Sequence, residues 1–409
     1  VGETGVTDDR SERTGPTDAV SDHRGRDDTS SRRQWLCTFG TGASALLGGC
    51  LAGVVDESGD GRRTGSLSFS GNSSMYGVDA ARRGVTDGSV DGQPTLRWRT
   101  PFDRRIASTP AVVGDLLYVG CSDEYLYALD ATTGDRAWRY HAGRDVRSSP
   151  AVAGDRVFVG SMNGSVVGLS RADGQVAWRR STDSGVFASP AVADGVVYVG
   201  DVDGSMYALD TDSGDALWTV ETDGPLFCSP AVADGTVYVA DYERRLYAFD
   251  TATGRVQWGS QVDDFVYTAP AVADGTVYVA RSGVTAFDAA TGERRWSVGD
   301  DRTSCSPTLA DESVVVVKDT VQALSPADGS TQWEFEPDGA VSTSATVGSD
   351  IAFVGDSDGT IYGLDVASGT EQWRVSVLNG IGVPLTVVAG ALFAVTDPTD
   401  SAVYGFEGP

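Results

Sequence analysis

From about Thr95 onward, short apolar runs alternate with polar turns, and no stretch keeps a helical period. One such run is Val196-Val-Tyr-Val-Gly200. The loop Asp201-Val-Asp-Gly204 follows, then Ser205-Met-Tyr-Ala-Leu-Asp210, the turn Thr211-Asp-Ser-Gly214, and Asp215-Ala-Leu-Trp218-Thr-Val220. Runs of β-formers bounded by Gly, Asp and Ser predict strands joined by tight turns. With the preceding Pro190-Ala-Val segment, the unit predicts four strands.

The unit recurs. Tryptophans stand at Trp98, Trp138, Trp178, Trp218, Trp258, Trp296, Trp333 and Trp373, separated by 40, 40, 40, 40, 38, 37 and 40 residues. A fixed period of this length means one supersecondary unit copied many times, each copy burying its apolar face against the next. The prediction is an all-β fold, an eight-bladed β-propeller of four-stranded antiparallel blades. First strands begin near Pro110, Pro150, Pro190, Pro230, Pro270, Pro307, Ala345 and Pro384. The eighth unit stops before any tryptophan strand, whereas Trp98 precedes the first unit. The Trp98 segment is therefore expected to join the last blade and close the ring, removing an exposed edge.

The turn before each tryptophan carries the sharpest motif, Ala-x-Asp-x-x-Thr-Gly-x-x-x-Trp. It is complete at Ala128 to Trp138, Ala248 to Trp258 and Ala286 to Trp296; Ala208 to Trp218 has Ser213 for Thr, Gly363 to Trp373 keeps Asp365 and Gly369, and Gly168 to Trp178 and Ala323 to Trp333 have Ser170 and Ser325 for the first Asp. Asp accepts backbone N–H bonds in the turn, Gly takes positive φ, and Trp supplies apolar area for packing between blades. This motif resembles the tryptophan-docking repeat of the pyrroloquinoline quinone (PQQ)-type propellers. That family contains quinoprotein dehydrogenases and non-catalytic members such as the BamB lipoprotein branch. The resemblance runs from Gln93 to the C-terminus and is specific for fold rather than function.

The enzymes of that family hold PQQ beside calcium with Glu, Asn and Asp, use a further Asp as base, and many carry a vicinal Cys pair. This chain has no consecutive cysteines, and Asn163 and Asn379 are the only asparagines within the blades. His141 is the only histidine outside the leader, so neither a Ser/His/Asp set nor a zinc site is supplied. No cofactor is expected; PQQ with Ca²⁺ is the alternative, for which Arg281 and Lys318 stand near strand ends. The loops Asp201-Val-Asp203-Gly204 and Asp356-Ser-Asp358-Gly359 are either cation ligands or plain hairpin turns. Specificity is expected where the repeat varies. The blade-to-blade loops end in Arg105, Arg147, Phe187, Phe227, Tyr267, Ser304, Ser342 and Gly382. Of these, Arg105, Arg147, Phe187, Phe227 and Tyr267 are the candidate binding residues, for a planar anion or a peptide.

Charge and the N-terminal region add location. The formal net charge is −27, and Lys318 is the only lysine. Such a surface resembles those of halophilic archaea and argues against nucleic acid or anionic lipid as partner. Residues 1–50 are expected to be a disordered leader with an export signal. Arg32-Arg33 resembles a twin-arginine (Tat) signal, and Leu47-Gly48-Gly49-Cys50 resembles a lipobox that would lipidate Cys50. Residues 51–92 are expected to form a flexible tether and lead-in, and 93–409 the propeller. Cys228 and Cys305 share a repeat position two blades apart, so no internal disulfide is expected. The resulting expectation is a monomeric, lipid-anchored, non-catalytic scaffold on the outer face of the cytoplasmic membrane, with a protein partner at the cell envelope. A quinoprotein oxidoreductase and a sensory or sugar-binding ectodomain are the alternatives.

Overall fold

The computed structural model describes residues 53–54, 67, 70–303, 305–310, 312–396 and 401–409. The expected export and lipidation residues Arg32, Arg33 and Cys50 lie outside the described residues. Every regular element described is a strand. Eight blades follow in chain order, each with its first strand innermost. Blade 3 is typical: Ala191–Ala193, Val196–Gly200, Ser205–Asp210 and Ala216–Glu221 pair antiparallel in sequence order. In blade 5 the second and third strands run together as Thr276–Asp288, because the chain there lacks the Asp-containing loop of its neighbours. That deletion accounts for the 38-residue spacing from Trp258 to Trp296. Thr95–Pro101 pairs antiparallel with Ala402–Glu407 as the outermost strand of blade 8.

The turn motif is explained position by position. Its first residue sits directly across from tryptophan on the neighbouring strand, as with Ala208 and Trp218 or Gly363 and Trp373. Only a small side chain leaves room there. The Asp250 carboxylate accepts the Thr253 N–H at 2.9 Å and its hydroxyl at 2.6 Å. The glycine has two duties. Gly254 takes φ +69°, and a Cβ there would come within 2.8 Å of the Trp218 ring of the preceding blade. Each ring thus lies on the next blade's turn. Trp218 Nε1 donates to the Thr251 carbonyl at 2.8 Å, and Trp98, Trp138, Trp178, Trp258, Trp296 and Trp333 make the equivalent bond. Trp373 Nε1 is buried with no acceptor among the described residues. The next turn in the ring belongs to blade 8, where the third and fourth strands come from opposite ends of the sequence and no covalent turn exists.

The described part of the expected tether, from Ser70 to Gly92, is built into the ring rather than free. It circles the bore and lends its carbonyls to the inner strands. Val152 N–H donates to Ser74 O, Val232 to Ala80, Val272 to Ala81, Leu309 to Arg83 and Val347 to Gly84, at 2.7–3.0 Å. Arg82 fills the axis. Its Nε donates to Pro230 O at 3.0 Å, its Nη2 to Ser189 O at 3.0 Å and Pro190 O at 2.8 Å, and its Nη1 to Tyr76 O. Burial pulls this guanidinium down to about 10, yet leaves it charged at neutral pH. The physical reason is edge pairing: inner strands would otherwise present unpaired N–H groups to the bore. Cys121 and Cys228 are buried free thiols, and Cys305 is also buried.

Candidate functional site

Above the plug, the loops from each outermost strand to the next blade's innermost strand converge on a cavity of about 190 Å³. Its floor is Tyr76, whose hydroxyl bonds Ser306 Oγ at 2.9 Å. Its lower wall is a ring of hydroxyls at the position before the conserved proline of each blade. Thr109 N–H donates to Ser149 Oγ, Ser149 N–H to Ser189 Oγ and Ser189 N–H to Ser229 Oγ, each at 2.9 Å. The ring is interrupted at Ala269 and at Pro384, which have no hydroxyl; in blade 8 the first strand starts at Thr386, so Leu385 stands in the proline's place and Pro384 in the hydroxyl's.

Arg147, Phe187, Phe227 and Tyr267 line this cavity together with Ser342 and Gly382, as their repeat positions predict. Arg105 does not line it. The residue three before Pro110, matching Arg147 before Pro150, is Ala107, and Ala107 occupies the place. Arg105 sits two residues earlier, exposed, with its carbonyl accepting the Ser122 N–H. Ser304 is outside the described residues. Arg147 pairs with Asp145 at 3.3 Å on the exposed rim.

The aromatic side is larger than the sequence reading gave. Phe187 and Phe227 meet edge-on at 6.0 Å, and Phe227 lies 5.8 Å from Tyr267. Tyr242 stacks on Phe265 at 5.0 Å and touches Phe227 and Tyr267 at 5.7 Å. The Arg281 guanidinium covers the far end, 4.9 Å from Phe265 and 5.4 Å from Tyr267, and donates to the Thr303 carbonyl. Phe187 and Tyr267 remain 36% and 41% exposed, which makes this a solvent-facing aromatic surface rather than core. Tyr242 was missed because it sits on the hairpin loop of blade 4, and Phe265 because it stands two residues before the aligned position in the loop of Tyr267. Their signal was present: blades 3 and 4 carry Gly185 and Pro225 where blade 5 has Phe265.

The Asp-x-Asp-Gly loops are turns. Asp201 is buried and accepts from the N–H groups of Ser184, Asp203 and Ser205 and from the Tyr207 hydroxyl. Asp356 likewise serves Asp358, Thr360 and Tyr362. Asp241, in the same place in blade 4, has its carboxyl pushed up by burial, against hydrogen bonds from Arg245 N–H and Tyr247. Among the described residues no three His, Cys, Asp or Glu side chains are grouped to hold a metal. The cavity is lined by hydroxyls, rings and one guanidinium, with no carboxylate. Calcium takes oxygen donors of which carboxylates form the core. The donor set therefore does not fit a calcium-held PQQ. Lys318, in blade 6, lies away from this cavity, against Gly299 on the outermost strand of blade 5.

A family model described as outer membrane protein assembly factor BamB matches residues 90–150, 141–228, 223–321 and 317–408. The chain belongs to this family of PQQ-type propellers. No curated protein matches. Among solved structures, BamB from Moraxella catarrhalis is 22% identical, with a TM-score of 0.64 over 77% of this chain and 98% of that one. Quinohemoprotein alcohol dehydrogenase from Comamonas testosteroni is 15% identical, with a TM-score of 0.72 over 82% of this chain and 80% of that one. The computationally designed Ika8 protein is 17% identical, with a TM-score of 0.64 over 74% of this chain and 97% of that one. Scaffold, enzyme and design share one architecture at these identities, so the likeness is of fold alone and function rests on the site.

Proposed function

We propose that this chain is a non-catalytic scaffold that binds a protein partner through the funnel mouth of blades 3 to 5. The observation that carries this reading is the continuous aromatic surface from Phe187 to Phe265 at the rim of a cavity whose lining holds no carboxylate. Aromatic side chains are the commonest energetic anchors of protein interfaces. Membership of the BamB family supports an envelope role. The remaining features of the reading come from the sequence: Tat export directed by Arg32-Arg33, a lipid on Cys50, and an acidic surface suited to high salt. Together they put the propeller on the outer face of the cytoplasmic membrane as a monomer.

Three experiments test it. A photo-reactive amino acid in place of Tyr267 should cross-link to a protein in intact cells. Purified chain titrated with PQQ and Ca²⁺ should show neither ring-fluorescence quenching nor dye-linked dehydrogenase turnover; turnover would establish the enzyme alternative. For the anchor, Cys50→Ser should release the protein into the medium, and retention at the membrane would refute lipidation at that residue.

A further inference from the structure

The aromatic surface has a regular geometry that specifies more than apolarity. Phe187, Phe227 and Tyr267 occupy one position in three successive blades, three residues before the conserved proline. Four residues earlier in each loop stands a carboxylate: Asp183, Asp223 and Asp263, all exposed. These loops run from the outermost strand inward, so the carboxylates form an outer row and the rings an inner row. Ring centroids are spaced 6.0 and 5.8 Å along the inner row. An extended polypeptide rises about 3.3 Å per residue, which puts alternate side chains about 6.6 Å apart on one edge. The two spacings match within the slack of side-chain rotamers.

The outer row is only lightly engaged. Asp223 pairs with Arg245 at 3.0 Å and Asp263 with Arg294 at 2.8 Å, both solvent-exposed. Asp183 accepts from the Tyr207 hydroxyl at 2.9 Å. Exposed pairs of this kind hold weakly and exchange partners readily. Asp203 and Glu243, also exposed, add negative charge on the hairpin loops beside the row. Arg281 already stacks on Phe265 and Tyr267 and closes the ring row at its blade 5 end.

We propose that the arc of blades 3 to 5 docks an extended polypeptide segment in which apolar side chains alternate with arginine or lysine. The apolar side chains sit on Phe187, Phe227 and Tyr267, and the basic ones face Asp183, Asp223 and Asp263. The proposal rests on the scaffold reading and adds the chemistry of the partner. A strand of this pattern gains apolar contact from the inner row and steering from the outer row, and its alternation rejects helical segments, whose apolar faces repeat at 3.6 residues.

The test is fluorescence anisotropy with the full chain and dye-labelled nine-residue peptides, across a KCl series. Three peptides are compared: alternating Leu and Arg, alternating Leu and Glu, and the Leu/Arg composition in two blocks. The alternating Leu/Arg peptide should bind, and its affinity should fall as salt rises. Tyr267→Ala and Phe227→Ala, checked for unchanged thermal melting, should each weaken it about tenfold. The triple change Asp183→Asn, Asp223→Asn and Asp263→Asn should weaken it and flatten its salt dependence. Equal binding of the Glu or block peptide, or indifference to the ring substitutions, overturns the proposal. The cellular cross-link at position 267 separates the two readings. An adduct without peptide binding removes the partner chemistry and leaves the scaffold; neither signal removes both.

Discussion

Replacing Trp218 and Trp373 by phenylalanine, one at a time, should give unequal losses of stability. The two side chains occupy the same repeat position and are similarly buried, 9% and 6% exposed. Both substitutions remove the same atoms, so the packing loss is shared. They differ at the indole nitrogen. Trp218 Nε1 donates to Thr251 O at 2.8 Å, whereas Trp373 Nε1 has no acceptor among the described residues. At position 218 the change removes a net bond of about 1 kcal/mol. At position 373 it relieves a desolvated donor, a gain of about 1–3 kcal/mol. Trp218→Phe should therefore be the more destabilising by about 2–4 kcal/mol. Guanidinium unfolding followed by far-ultraviolet circular dichroism, at fixed salt and with unchanged m, reads this directly as a difference in midpoint. Equal losses within about 0.5 kcal/mol would refute the argument that the missing blade 8 turn leaves Trp373 unpaired.

Three further outcomes follow from the same geometry. Gly254→Ala should cost about 1–3 kcal/mol more than Gly235→Ala: both glycines have positive φ, but a Cβ at 254 meets the Trp218 ring at 2.8 Å while one at 235 meets nothing closer than 3.9 Å. Equal melting temperatures would contradict it. Arg82→Met should strand the carbonyls of Tyr76, Ser189, Pro190 and Pro230, lowering stability by about 3 kcal/mol or more and opening residues 70–92 to protease; mass spectrometry of the fragments checks where cleavage falls. The turn carboxylates set an acid limit. Asp288 is held down to about 2, first by Arg295 and then by the Thr291 N–H and hydroxyl, and Asp250 is lowered first by the Thr253 hydroxyl. With folded values below the unfolded one, their stabilisation is complete above about pH 4 and disappears as pH falls toward 2. Melting temperatures from pH 5 to 2 should show this decline, and Asp288→Asn should reduce it.

The ring was legible because its determinants are local and repeated. Trp, the small residue across from it, the turn Asp and the turn Gly each act within one blade or on the next, so their spacing survives in the sequence. Phe187, Phe227, Tyr267 and Arg147 were legible as departures from that repeat. Arg105 stands two residues before the cavity position, which the register set by Pro110 assigns to Ala107. The plug was not legible at all. Its Gly, Ser, Asp and Arg composition is that of a linker, and its path is imposed by the inner strand edges it pairs with. Arg82 has no repeat counterpart, and only the assembled bore explains why a cation is buried there.

Photo-cross-linking in intact cells tests the binding mouth most directly, with the reactive residue placed at Tyr267 in one strain and at Leu217, exposed on the outer strand of blade 3, in another. A discrete protein adduct from position 267 and none from 217 is the predicted result. No adduct at 267, or adducts of equal yield at both, would contradict the claim that the aromatic mouth of blades 3 to 5 is where this propeller meets its partner.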